Sequence, residues 1–157
     1  MKIEKGSIYT PWGNENYIIQ DSSGYGHNGT IINNITINSN SARYNASSNF
    51  PTSTDSITVT PCFSNGQTIN AITVNCWFKT NTLNNTTPNI FSLGENSFLR
   101  CRIASTTSIW SYYRVGITQM SETNSCKTLT DNIWHMLTFR FDNGIERIFI
   151  DGEPIGT

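Results

Sequence analysis

The chain has 157 residues, the size of a single domain, with a formal net charge of −1 and no run of Lys or Arg. Sequence-independent nucleic-acid binding needs clustered cations that displace counterions from phosphates, so charge argues against that class. No apolar run is long enough to span a bilayer, and Met1 to Tyr17 lacks the apolar segment of a signal peptide. The expectation is a soluble chain with no membrane insertion. If it acts outside a cell, it arrives within a particle, by lysis or inside a longer precursor.

Charged residues make up 13% of the chain, against roughly 25% in ordinary globular domains. Asn, Thr, Ser and Ile take their place, while Ala and Leu, the strong helix formers, are scarce. Asn and Ser favour turns, and Ile and Thr favour strands. Short strands joined by polar turns follow, all within one domain spanning residues 1–157.

Along the chain, Asp21-Ser22-Ser23-Gly24-Tyr25-Gly26-His27-Asn28-Gly29 is dense in turn residues. Next, Ile57 and Val59 alternate with Ser56, Thr58 and Thr60. From Ala71 to Lys79, Ile72, Val74, Cys76 and Phe78 share one face, and Thr73, Asn75 and Trp77 the other. Asn81 to Pro88 is the most loop-like stretch. Leu99, Cys101 and Ile103 alternate with Arg100 and Arg102. From Ile109 to Ile117, Ile109, Tyr113, Val115 and Ile117 face one way, and Trp110, Tyr112 and Arg114 the other. From Trp134 to Phe141, Trp134, Met136, Thr138 and Arg140 alternate with His135, Leu137, Phe139 and Phe141. Glu146 to Ile150 is a further strand. Asn65-Gly66, Asn143-Gly144 and Asp151-Gly152 supply the positive φ that tight hairpins need. No apolar stripe of helical period runs for ten residues. Many short strands at this spacing indicate an all-β sandwich or barrel.

Four cysteines, Cys62, Cys76, Cys101 and Cys126, are widely spaced without a C-x-x-C, which argues against zinc. Cys76 and Cys101 sit in apolar alternation, so buried thiols are the plainer reading. Three full pairings stay open, and the redox compartment with them. With His27 and His135 the only histidines, a His-rich metal site is excluded. His27 has no Ser or Cys nucleophile beside it and reads as a turn residue rather than a general base. There is no G-x-S-x-G elbow and no phosphate-binding glycine loop.

Three segments together resemble a known pattern. The turn from Asp21 to Gly29 is similar to the D-x-S-G-x-G-x-x-G turn of laminin G-like domains in the concanavalin A-like lectin/glucanase superfamily. AITVNCWFKT, with Trp77 and Lys79 in register, resembles that family's W-x-K strand. Trp134 to Gly152, WHMLTFRFDNGIERIFIDG, resembles its W-H … D-G hairpin. The resemblance covers the chain from about Tyr17 onward. It implies a jelly-roll sandwich of two antiparallel sheets, structural roles for Trp77 and Trp134, and binding of sugars, glycans or proteins. Family members continue past the D-G turn with a return strand and a closing strand. A chain stopping at Thr157 is therefore expected to lack the last strands, as a fragment or with another subunit completing its C-terminal edge.

Some laminin G-like members bind Ca²⁺ at loop carboxylates, so the resemblance makes Asp142 and Asp151 candidate ligands; turn formation before Gly is the plainer role. Enzymes of the superfamily hydrolyse glycans with carboxylates spaced E-x-D-x-x-E, and this sequence has no such triplet. A non-enzyme with no required cofactor is expected. The most suggestive surface combines Trp110, Tyr112 and Arg114 with Arg100 and Arg102: aromatic rings stack on sugar C–H faces, and Arg forks onto carboxylates. The competing reading places Trp110 and Tyr112 in the core. The leading expectation is non-catalytic recognition of a glycan or surface polysaccharide, in a phage virion or a bacterial surface or secreted protein. The alternatives are a structural or protein-interaction module of a particle or fibre, and a fragment of a glycoside hydrolase.

Overall fold

The computed structural model describes residues 18–38, 42–43, 47–59, 69–81, 88–93, 99–115 and 118–156, without the side chains of 114–115 and 118–122. Cys62, the Asn65-Gly66 turn, Ile117 and most of the 81–88 loop lie outside the described residues. Among the described residues there are strands and turns only, and no helix is long and apolar enough to cross a membrane. The chain forms two compact units, residues 1–62 and 63–157.

The first unit holds five short strands: β1 (Ile18–Ile19), β2 (Gly29–Ile32), β3 (Thr36–Asn38), β4 (Ser47–Asn49) and β5 (Ser56–Val59). They pair antiparallel as β1-β2-β5 and β3-β4. The glycine-rich turn between β1 and β2 is closed by its own polar groups. The Asp21 carboxylate accepts from Ser23 N at 2.8 Å, Ser23 Oγ at 2.6 Å and His27 N at 3.0 Å, and Asn28 Oδ1 accepts from Asp21 N. The Ser23 hydroxyl foremost, with the Ser23 and His27 amides, holds the Asp21 carboxyl below its usual range. Gly24 and Gly26 take positive φ. Gly29 is required differently: a Cβ there would meet Ile57 Cγ2 at 2.7 Å. The whole stretch is accounted for as a structural turn.

The second unit contains β6 (Ala71–Phe78), β7 (Asn89–Leu93), β8 (Leu99–Ser105), β9 (Ser108–Val115), β10 (Thr118–Ser125), β11 (His135–Asp142), β12 (Ile145–Ile150) and β13 (Glu153–Ile155). They form two antiparallel four-stranded sheets, ordered β10-β9-β8-β7 and β13-β12-β11-β6. Alternation decides what lies between them. Leu99, Cys101, Ile103, Ile109 and Tyr113 from one sheet meet Leu137, Phe139, Phe141, Ile148 and Ile150 from the other, all nearly devoid of exposure. Phe91 packs edge-on against Phe139 at 5.6 Å between centroids, and Tyr113 lies 5.1 Å from Phe141. Leu129, from the loop after β10, completes this core. That loop is tied to the β8–β9 turn by Cys126 N to Thr107 O and Leu129 N to Thr106 O, both 2.8 Å.

Both expected hairpins form. Asn143 (φ 47°) with Gly144 (φ 87°), and Asp151 (φ 55°) with Gly152 (φ 88°), adopt the left-handed pairs that match strand twist. After Asp151-Gly152 a short return strand is present: β13 pairs with β12 through Ile148–Ile155 and Ile150–Glu153. It forms one edge of its sheet.

Candidate functional site

On β8 and β9 the residues facing away from the core are Arg100, Arg102, Trp110 and Tyr112, because Leu99, Cys101, Ile103, Ile109, Ser111 and Tyr113 face inward. The register places Arg100 opposite Tyr112 and Arg102 opposite Trp110. The four side chains form one stacked ladder. The Arg102 guanidinium lies 4.1 Å from the Trp110 ring centre; Arg100 lies 5.3 Å from Trp110 and 5.5 Å from Tyr112. The two rings stack at 5.7 Å and 25°. Desolvated cation–π contacts of this kind are worth about 1–2 kcal/mol each and hold the long Arg side chains in one geometry.

Four of the five side chains singled out in the sequence are therefore brought together, on the face opposite the core. Arg114 continues the outward series of β9 in the backbone register, opposite Gln119 of β10; its side chain lies outside the description. The ladder differs in one respect from an open stacking platform. Tyr112 is only 6% exposed, its ring held against Trp110 and under Arg100. Arg100 and Arg102 are half-buried, with the Nε atom of each shielded from solvent.

Asp142 and Asp151 are not brought together. Asp142 ends β11, whereas Asp151 bonds Met136 at its start, six residues away or about 20 Å along a strand. Asp142 is paired with Arg140 at 2.9 Å and accepts from Asn143 Nδ2. Asp151 accepts from Met136 N at 2.7 Å, contacts His135 Nδ1 at 2.8 Å and pairs with Lys127. The two candidate Ca²⁺ ligands thus lie at opposite ends of β11, each engaged by protein groups. Among the described residues no group of three or more His, Cys, Asp or Glu side chains could hold a metal ion.

Two arrangements escaped sequence reasoning. His135, 2% exposed, is held between Asp151 and Asp131, whose Oδ1 lies 3.1 Å from Nε2. The partners sit 4 and 16 residues away, and only the W-H … D-G pattern hinted at them. Burial alone would raise the Asp151 carboxyl; the contacts with Lys127, His135 and Met136 N outweigh it and hold the group down to about 2. In addition, Glu146 alternates with Ile148 and Ile150 on the inward face of β12 and accepts a hydrogen bond from the buried Ser111 hydroxyl of the opposite sheet.

Cys76, Cys101 and Cys126 are free thiols. Burial pushes Cys76 up to about 11, and burial likewise raises Cys101 and Cys126. Thiolate is the reactive form. In the native protein at pH 8, a thiol reagent is expected to leave Cys76 and Cys101 unlabelled and to modify them only after denaturation. Mass spectrometry of labelled peptides checks this.

A sandwich of two antiparallel sheets, one of them built on a W-H … D-G hairpin, is the frame of the lectin-like β-sandwich proteins. The chain belongs to the concanavalin A-like lectin/glucanases superfamily: a laminin G-like family model so described matches residues 51–157, from just before β5 to the end of the chain. No curated protein sequence and no solved structure matches the chain.

Proposed function

We propose that this domain is a non-catalytic recognition module that binds an acidic glycan through Arg100 and Arg102. The observation that carries this reading is the ladder on β8 and β9, where Trp110 and Tyr112 brace two guanidiniums side by side. Residues two apart on a strand share a face at about 6.7 Å, a spacing that suits successive anionic groups on one polymer. Arg forks bind carboxylate and sulfate groups bidentately, and bracing lowers the entropy lost on binding. Membership of a lectin/glucanase superfamily is compatible with it. The setting we infer is a phage particle or a bacterial surface or secreted protein; its support is the Asn-rich, charge-poor composition.

A hydrolase has less support. The sequence lacks E-x-D-x-x-E, and the carboxylates of Asp131, Asp142, Glu146 and Asp151 are engaged by protein donors. A glycan array of acidic and neutral sugars, read with Ca²⁺ and with chelator, tests the proposal. Binding confined to acidic glycans, unaffected by chelator and reduced about tenfold in Arg102→Ala, is expected. Binding only with Ca²⁺ moves the site to loop carboxylates, and no binding at all favours a structural module of a particle or fibre.

A further inference from the structure

The outward face of the other sheet is graded along its length. The register of β6, β11 and β12 places Thr73, Arg140 and Arg147 in one row. Asn75, Thr138 and Phe149 make the next row, and Trp77 and Met136 the one after. Beyond them the Lys79 ammonium lies 5.6 Å from the Trp134 ring centre. From Arg140 to Trp134 is six residues, or about 20 Å, the length of a short oligosaccharide. One end carries two arginines, the middle an amide and a hydroxyl bonded to each other at 2.8 Å in the row of Phe149, and the far end Trp77 and Trp134 with the Lys79 ammonium.

Two features of this face are poorly explained by folding alone. Arg140 and Arg147 are direct cross-strand neighbours, and like charges so placed destabilise a sheet. Asp142 pairs with Arg140 at 2.9 Å, whereas Arg147 is exposed and has no carboxylate partner among the described residues. At the far end Trp77 keeps 37% of its surface exposed. A shallow depression of about 520 Å³, lined in part by Ala71, Thr73, Arg140 and Asp142, opens beside the cationic row.

We infer that this face is a second glycan site, independent of the Arg100–Arg102 ladder, which takes an acidic polysaccharide lying along β11. The Arg140–Arg147 pair receives a carboxylate or sulfate group, whose charge relieves the repulsion between them. Asn75 and Thr138 supply exchangeable hydrogen bonds for hydroxyl groups. Trp77 stacks on a sugar ring at the other end. Because the two sites lie on opposite sides of one sandwich, a single domain cannot lay both on the same stretch of polymer, and it cross-links two chains instead.

The test uses the full chain with polygalacturonate, a sulfated polysaccharide and a neutral glucan, reading affinity by calorimetry and cross-linking by turbidity. Wild type is expected to bind an acidic polymer and make it turbid, and to ignore the glucan. Arg147→Thr and Trp77→Ala are each expected to weaken binding about tenfold at one class of sites and to abolish turbidity, leaving the ladder's binding in place. Arg147→Thr should also keep or raise the melting temperature, which a merely structural arginine would not do. The proposal fails if both variants bind and cross-link as wild type, if Arg147→Thr lowers the melting temperature, or if the neutral glucan binds equally well. Loss of all binding in Arg100→Ala/Arg102→Ala would also overturn the second site while sparing the first. Binding retained in that variant but lost in Arg147→Thr would sink the ladder and spare the second site. No binding to any acidic polymer overturns both.

Discussion

Phe139→Ala is expected to lower the unfolding free energy by about 3–5 kcal/mol, the cost of removing a fully buried aromatic ring. Phe139 has no exposed surface and lies at the middle of β11, between Val74 of β6 and Ile148 of β12, with its ring against Phe91 of the opposite sheet. A domain of this size has roughly 5–15 kcal/mol in total, so the variant stands near the edge of folding. Its neighbour Thr138 faces outward, and Thr138→Ala should cost less than about 1 kcal/mol. Urea unfolding followed by tryptophan fluorescence reads both. Equal losses, or a larger loss at Thr138, would contradict the assignment of faces on β11.

Asp151→Ala is expected to cost about 2–4 kcal/mol, because one carboxylate satisfies Met136 N, the buried His135 ring and Lys127. Removing it leaves His135 with Asp131 alone and unpins the β12–β13 hairpin from β11. The effect carries a pH signature. The folded carboxyl is held at about 2, below the ordinary range of an aspartate. A group depressed on folding stabilises fully above its unfolded value and loses that contribution as pH falls towards its folded one. The part of the gap between wild type and Asp151→Ala that comes from this carboxylate should therefore close between about pH 4 and 2. A gap that widens on acidification would show that Asp151 does not hold this network in the native state.

Much of the second unit was legible because its strands are long enough to count. Period two in Ala71–Phe78, Leu99–Ile103, Ile109–Tyr113 and His135–Phe141 gave the strands and sorted their residues into two faces, but for β9 it left open which face is inward, and burial of Ile109 and Tyr113 decides it. Asn143-Gly144 and Asp151-Gly152 fixed two hairpins through their backbone chemistry. β7, Asn89–Leu93, was missed because a register shift between Asn89 and Phe91 breaks its alternation, and the other strands missed are those in which alternation carries little signal. β10, Thr118–Ser125, is polar at almost every position and sits at a sheet edge, and β1 to β4 run two to four residues. Glu146 shows the complementary limit: a carboxylate reads as outward until a partner such as Ser111, 35 residues away, makes its inward position affordable. For the ladder, alternation placed Arg100 with Arg102 and Trp110 with Tyr112. Only the pairing of β8 with β9 could bring the two couples together. Trp77 matches a family position, yet it belongs to the outward series of β6, a distinction the pattern alone does not draw.

The most direct test of glycan recognition by the braced arginines is calorimetry of one acidic oligosaccharide with wild type and with Arg100→Lys/Arg102→Lys. That variant keeps both charges but loses the planar forks and their stacking on Trp110 and Tyr112. A fall in affinity of about tenfold or more, in a variant that still folds, is the expected result. Unchanged affinity would mean that any cationic surface suffices, and would contradict the role given to this ladder.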